Sequence, residues 1–305
     1  MISRAWRPAA GVVAGLFVLP SVLSGCGLLD AANQVGESEE SASPTSEASP
    51  SALKVPLYWI GATGKSSFLY REYHDYKADD AASRGDVVAT AVSMLTRVQP
   101  RDPDYHNPWN PASSVGSSMS KDGTLTLNLS SDAFDHSISA DEANLAVQQL
   151  VYTATASAAV GGISDAGPST KVIVLVDGHR GYKFGNQTLG QTVVRDEAVA
   201  APLWIIDPEQ NSVFGTTTTV KMVATNVASR VYWDIRKNGS EVAAGSEDLS
   251  GDDSGLQEIQ FSRNLAEGDY TIRIYIKTED LKDPGLAVSD QEVSLYDDHQ
   301  FTVNK

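Results

Sequence analysis

The chain has 305 residues, 41% of them apolar, and its 23 basic and 39 acidic side chains leave a formal charge of −16. That length suits about two domains, and the apolar fraction excludes a wholly disordered chain. A surface this acidic repels phosphate backbones, which argues against nucleic acid as a partner. One cysteine, Cys26, excludes internal disulfides and four-cysteine zinc sites.

Arg4 and Arg7 are the only charges before Asp30, and they precede an apolar run from Ala9 to Leu23. A basic start followed by about 15 apolar residues describes a signal peptide; a membrane-spanning helix needs ~20. The run ends in Leu23-Ser24-Gly25-Cys26. These four residues resemble the bacterial lipobox, whose cysteine is lipidated and becomes the new N-terminus. The resemblance implies loss of residues 1–25 and a palmitate-type lipid anchor at Cys26. It places the exported chain on the outer face of the bacterial cytoplasmic membrane. A diacylglyceryl group plus an amino-terminal acyl chain exceeds the single lipid chain that anchors only marginally. Residues 26–53 are Ser- and Glu-rich, with acids at Asp30, Glu37, Glu39, Glu40 and Glu47 and no base before Lys54. Such a stretch buries too little to offset its ordering entropy, and it reads as a tether of roughly 25–30 Å.

Residues 54–185 form the first predicted folded unit. Val55 to Ile60 reads as a strand, and Ser67 to Tyr76 as a second, aromatic-rich strand. From Asp86 to Val98 the period changes, with Val88, Val92, Leu95 and Val98 on one helical stripe. Asp122-Gly123 predicts a hairpin between Val115–Ser120 and a strand in which Leu125, Leu127 and Leu129 alternate with polar residues. Ser139-Ala-Asp-Glu142 has capping-box form and starts a helix to about Ala158. Lys171 to Val176 is a continuous apolar strand. The order β-β-α-β-β-α-β predicts a mixed α/β sandwich with both helices against one sheet. Residues 186–200 read as a linker. Residues 201–305 show period-2 runs and no helix signal, with Val231, Trp233 and Ile235 and then Tyr270, Ile272, Ile274 and Ile276 as the clearest. Six or seven strands in this length predict an immunoglobulin-like sandwich with Trp233 in its core. The fold class is α+β, an α/β sandwich followed by an all-β sandwich.

These patterns resemble a known combination. Val55-Pro-Leu-Tyr-Trp59, the Leu69-Tyr-Arg-Glu72 strand, Thr124 to Ser130 and Val172 to Gly178 resemble the GerMN domain of bacterial sporulation and germination lipoproteins. Leu203 to Pro208, Val220 to Val231, Phe261 to Leu265 and Gly268-Asp-Tyr270 resemble the immunoglobulin-like domain often appended to it. The resemblance implies a non-catalytic envelope role and supplies no catalytic residues. The departure from the family pattern is the segment Pro100–Pro111, where a short Gly-Pro loop is usual.

Other motifs carry little chemistry. Gly61-Ala-Thr-Gly64-Lys65-Ser66 lacks the first glycine of a phosphate loop and reads as a hairpin loop. His74, His106, His136, His179 and His299 show no zinc spacing and read as strand-end or loop residues. Asp248 to Asp253 departs from the EF-hand pattern. No Gly-x-Ser-x-Gly elbow is present. The expectation is no cofactor, no metal and no enzymatic activity. The outlier is Tyr105-His106-Asn107-Pro108-Trp109, whose large aromatics are costly to expose. Two readings stand: Trp109 folds back as a lid on the sheet, or Tyr105, His106 and Trp109 form a contact surface. The leading expectation for function is an envelope scaffold that binds another protein through sheet edges or sandwich loops. The alternative is a module binding peptidoglycan, another glycan or a small ligand, with Tyr105 and Trp109 as its stacking platform. An envelope enzyme is third.

Overall fold

The computed structural model describes residues 53–76, 86–163, 167, 169–249, 255–289 and 291–305. The lipobox residues Leu23, Ser24, Gly25 and Cys26, and the tether up to residue 52, lie outside the described residues. So does most of the Asp248–Asp253 motif.

β1 (Leu53–Thr63) and β2 (Ser66–Tyr76) pair along their whole length, with Thr63 opposite Ser66. That register leaves a two-residue turn, Gly64-Lys65, in which Gly64 has φ +62°. A side chain there would be strained and would meet the carbonyl of Ser294. The glycine that suggested a phosphate loop therefore serves a tight hairpin.

Asp86 caps α1 (Val87–Leu95) by accepting from the N–H of Ala89 at 2.8 Å. Val88, Ala91, Val92 and Leu95 are buried on its inner face. The helix stops at Leu95, so Val98, expected on the same stripe, packs from the loop beyond. Ser139 caps α2 (Ala140–Val160) as predicted, accepting from the N–H of Glu142. Ala143, Val147, Leu150, Val151 and Ala154 are all buried.

The first module has two main sheets where one was expected. β3 (Tyr105–His106) takes the second edge of β1, giving the order β2-β1-β3. β4 (Val115–Met119), β5 (Leu125–Leu129) and β6 (Val172–Val176) form a separate sheet. β5 and β6 run parallel, joined through α2. α1 packs on β1, β4 and α2, and so bridges both sheets. The 186–200 stretch, expected as a linker, contributes structure. β7 (Lys183–Phe184) pairs with β8 (Gln187–Thr188), and β9 (Thr192–Val193) extends the β4-β5-β6 sheet.

Among the described residues the second module is a sandwich of eight strands, one or two more than expected. One sheet has the order β10 (Leu203–Asp207), β12 (Thr217–Thr225), β15 (Leu256–Asn264). The other runs β11 (Ser212–Phe214), β17 (Val293–Val303), β16 (Gly268–Lys277), β13 (Arg230–Lys237), β14 (Ser240–Asp248). Between the sheets lie Val220, Met222, Val231, Ile235, Ile272, Ile274 and Ile276. Trp233 is buried as expected. Its ring stacks on Phe261 at 4.1 Å, and the Arg263 guanidinium lies 4.7 Å from it.

Candidate functional site

Residues 50–305 form one compact unit, and within it the two modules meet along a seam of polar contacts beside the apolar contacts of Trp204 and Val223. Thr63 Oγ1 donates to the carbonyl of Tyr296 at 3.0 Å and accepts from its N–H at 2.8 Å. Lys54 and Arg101 from the first module both pair with Glu209 of the second.

The centre of the seam is built by the Pro100–Pro111 segment, the stretch that departs from the family pattern. Glu72 on β2 anchors it. Its carboxylate accepts the N–H groups of Arg101 and Asp102 at 3.0 and 2.9 Å, and lies 2.8 Å from His74 Nε2. Burial pushes the Glu72 carboxyl up, but these hydrogen bonds outweigh it and hold the group below the usual carboxylate range. The anchored loop delivers Tyr105 to the edge of β1, stacked on Tyr70 with ring centres 4.6 Å apart. The Tyr105 hydroxyl then donates to Asp297 Oδ1 at 2.8 Å. The other Asp297 oxygen accepts the N–H of Ile205 at 2.7 Å, next to the β-bulge between Ile205 and Asp207.

His299 completes the cluster from β17. Its Nδ1 lies 2.7 Å from the carbonyl of Pro208, and its Nε2 lies 3.4 Å from Asp102 Oδ2. Asp102 Oδ1 accepts from the N–H of Asp104, whereas Asp102 Oδ2 has no hydrogen-bond partner. Asp102, Asp297 and His299 are each at most 5% exposed. Burial pushes the Asp102 carboxyl up to about 7, against the lowering pull of Asp104 N–H and His299. Burial also raises the carboxyl of Asp297 and the hydroxyl of Tyr105. A small pocket of about 20 Å³, room for roughly one water, opens beside the cluster, walled by Arg71, Glu72, Arg101, Glu209 and His299 among others. The donor atoms of Asp102, Asp297 and His299 lie within 4.8 Å of one another, close enough for a cation to bridge.

Sequence spacing does not reveal this cluster, because zinc spacing joins ligands near in sequence and these three come from two modules. The reading of His299 as a strand-end or loop residue is corrected: it is buried in the middle of β17, whereas His74 is buried near the end of β2. A usable signal was present. Leu295, Asp297, His299, Phe301 and Val303 alternate along one face of β17, so the apolar members mark the two polar ones as inward.

The structure corrects the contact-surface reading of Tyr105, His106 and Trp109. Trp109 is 6% exposed, stacks on Phe184 at 5.2 Å and meets Phe134 edge-on at 5.3 Å. Its Nε1 donates to Gln149 Oε1 at 2.9 Å. It is the lid. Tyr105 is buried in the seam, and of the three only His106 is exposed, 3.4 Å from Glu142.

The fold is thus a mixed α/β module followed by a β-sandwich. Residues 56–181 match the Germane family, described as sporulation and spore germination. The chain thus contains a region that matches this sporulation and spore germination family, followed by a β domain. It is similar to the first GerMN domain of the sporulation protein GerM from Bacillus subtilis, with 17% identity and a TM-score of 0.34. That match covers 47% of this chain and 97% of the other. The tandem GerMN domains of the same protein match at 13% identity and a TM-score of 0.36, over 70% of this chain and 61% of theirs. The CARDB domain of a Pyrococcus furiosus protein matches at 13% identity and a TM-score of 0.22, over 33% of this chain and 89% of its own. No curated protein matches the chain.

Proposed function

We propose that the chain is a lipid-anchored, non-catalytic interaction protein on the outer face of the bacterial cytoplasmic membrane, which recruits another envelope protein by strand addition. The observation that carries this reading is β14. It is a nine-residue strand at the edge of its sheet, hydrogen-bonded to β13 on one side. Most of its residues are exposed, with Val242 at 50%, and Ala243, Ala244 and Gly245 leave its backbone lightly covered. An open edge of that length is a template for an incoming strand. Glu241 and Glu247 along it favour a partner strand with basic side chains.

Anchoring rests on Leu23-Ser24-Gly25-Cys26 in this reading; no helix of the described residues is long and apolar enough to cross a membrane. The glycan alternative depended on Tyr105 and Trp109 as a stacking platform, and both rings are buried. The test is a photo-crosslinking residue at Val242 of the full chain in intact envelopes. A discrete protein adduct, lost when crosslinking is moved to a buried position, is expected. Adducts only to glycan, or none above background, would refute the reading. In parallel, Cys26→Ser releases the chain from the membrane fraction; unchanged fractionation refutes the anchor.

A further inference from the structure

Asp102 Oδ2 is a carboxylate oxygen in a residue 2% exposed, with no hydrogen-bond partner. Leaving such an atom unsatisfied costs roughly 1–3 kcal/mol, more when it is charged. It points at His299 Nε2 from 3.4 Å, beyond the 2.7–3.2 Å of an N–H···O hydrogen bond. The separation suits a different arrangement. Two ligand atoms about 2.0–2.1 Å from a tetrahedral ion stand about 3.3–3.4 Å from each other.

The histidine is set up as a ligand. Its Nδ1 faces the Pro208 carbonyl, which only accepts, so the ring proton sits on Nδ1. Nε2 faces the aspartates, and in the neutral ring its lone pair is open to a metal, in the manner of a metal-ligating histidine oriented by a carbonyl. Asp297 is oriented in the same way, with the Tyr105 hydroxyl on one oxygen and the Ile205 N–H on the other. Each of its oxygens keeps a second lone pair. Of the neighbouring cations, Lys54 and Arg101 are engaged by Glu209. Two carboxylates in a buried seam repel one another unless a proton or a cation lies between them.

We propose that Asp102, Asp297 and His299 form a site for a divalent cation of the zinc class, which clasps the GerMN and β-sandwich domains together. The imidazole selects a borderline transition cation over calcium or magnesium, which prefer all-oxygen shells. The pocket walled by His299 supplies the entry path and room for a water as the fourth ligand. The role is structural: Asp102 comes from the loop after α1 and the other two ligands from β17, so the ion ties two domains that otherwise meet through hydrogen bonds, ion pairs and the apolar contacts of Trp204 and Val223.

The test uses the full chain purified in detergent, stripped with a chelator, exposed to zinc chloride and desalted. About one zinc per chain is expected, with a higher melting temperature than the stripped chain. Asp102→Asn and His299→Gln are expected to weaken retention at least about tenfold. X-ray absorption at the zinc edge of the unmutated, loaded chain must show imidazole in an otherwise oxygen shell, a readout that does not depend on the variants folding. Less than a tenth of an equivalent in the unmutated chain, a shell without imidazole, or undiminished zinc in folded Asp102→Asn would each overturn the proposal.

Discussion

Replacing Trp109 with alanine tests the assignment of the inserted loop as part of the core. The indole fills the space between Phe134 and Phe184 under the loop, and its N–H satisfies Gln149, which is fully buried. Removing a buried Trp side chain costs about 3–5 kcal/mol, set by how far the cavity collapses. Collapse is limited here because Gln149 is held at its other end, where Nε2 donates to the carbonyl of Tyr58 at 2.7 Å. The Gln149 oxygen also loses its donor, which moves the expected loss to about 4–5 kcal/mol. For a folded region of this size that lowers the melting temperature by roughly 8–20 °C. Trp109→Phe keeps a ring on Phe184 but removes the donor, and should cost about 1–3 kcal/mol. Urea titration followed by circular dichroism measures both variants against the parent. A loss below about 1 kcal/mol for Trp109→Ala would show that the ring is not packed as described, and would restore it as a surface group.

Two further outcomes follow from particular contacts. Gly245 lies against the Trp233 ring, and a Cβ there would stand 2.7 Å from its Cε2 while Phe261 holds the same ring. Gly245→Ala is therefore expected to cost about 1–3 kcal/mol by overpacking. Gly116→Ala is the matched strand control, because its Cβ meets nothing within 4 Å; it should stay within about 0.5 kcal/mol of the parent in the same titration. Tyr152 supplies a pH outcome. Burial pushes its hydroxyl from 10.0 up to about 12, opposed by Arg195. A raised folded-state value means that the folded chain holds the proton more tightly. The associated stability is full below pH 10.0 and is lost as pH rises to about 12. Tyr152→Phe should therefore lose less stability than the parent across that interval, despite giving up the hydrogen bond to the Asp196 carbonyl. Parallel curves for the two proteins would contradict the assignment.

Much of the architecture was legible residue by residue. The Ser139 cap, the α1 stripe, the Leu125–Leu127–Leu129 alternation and the Trp233 strand all rest on periodicity and capping, which neighbouring residues express locally. β14 escaped because the Ser240–Asp248 stretch is exposed on most positions and carries no apolar alternation. The division into two sheets escaped because Tyr105–His106 is only two residues long, and its pairing with Ile60 and Gly61 is a long-range choice. Trp109 was recognised as costly to expose, but what it would bury against was not readable: its partners Phe134, Gln149 and Phe184 come from three separate elements.

Charge, element order, the two helices and the rhythm of the sandwich strands belong to the sequence, because each is carried by residues within a turn or a pleat of one another. The seam belongs to the tertiary structure. Glu72, Asp102, Asp297 and His299 are unremarkable acids and an ordinary histidine along the chain. They become a buried cluster because the Pro100–Pro111 loop is pinned to β2 and β17 lays its inward face against it. Burial removes water from these groups, and only then do their charges, their unsatisfied oxygen and their spacing acquire consequences.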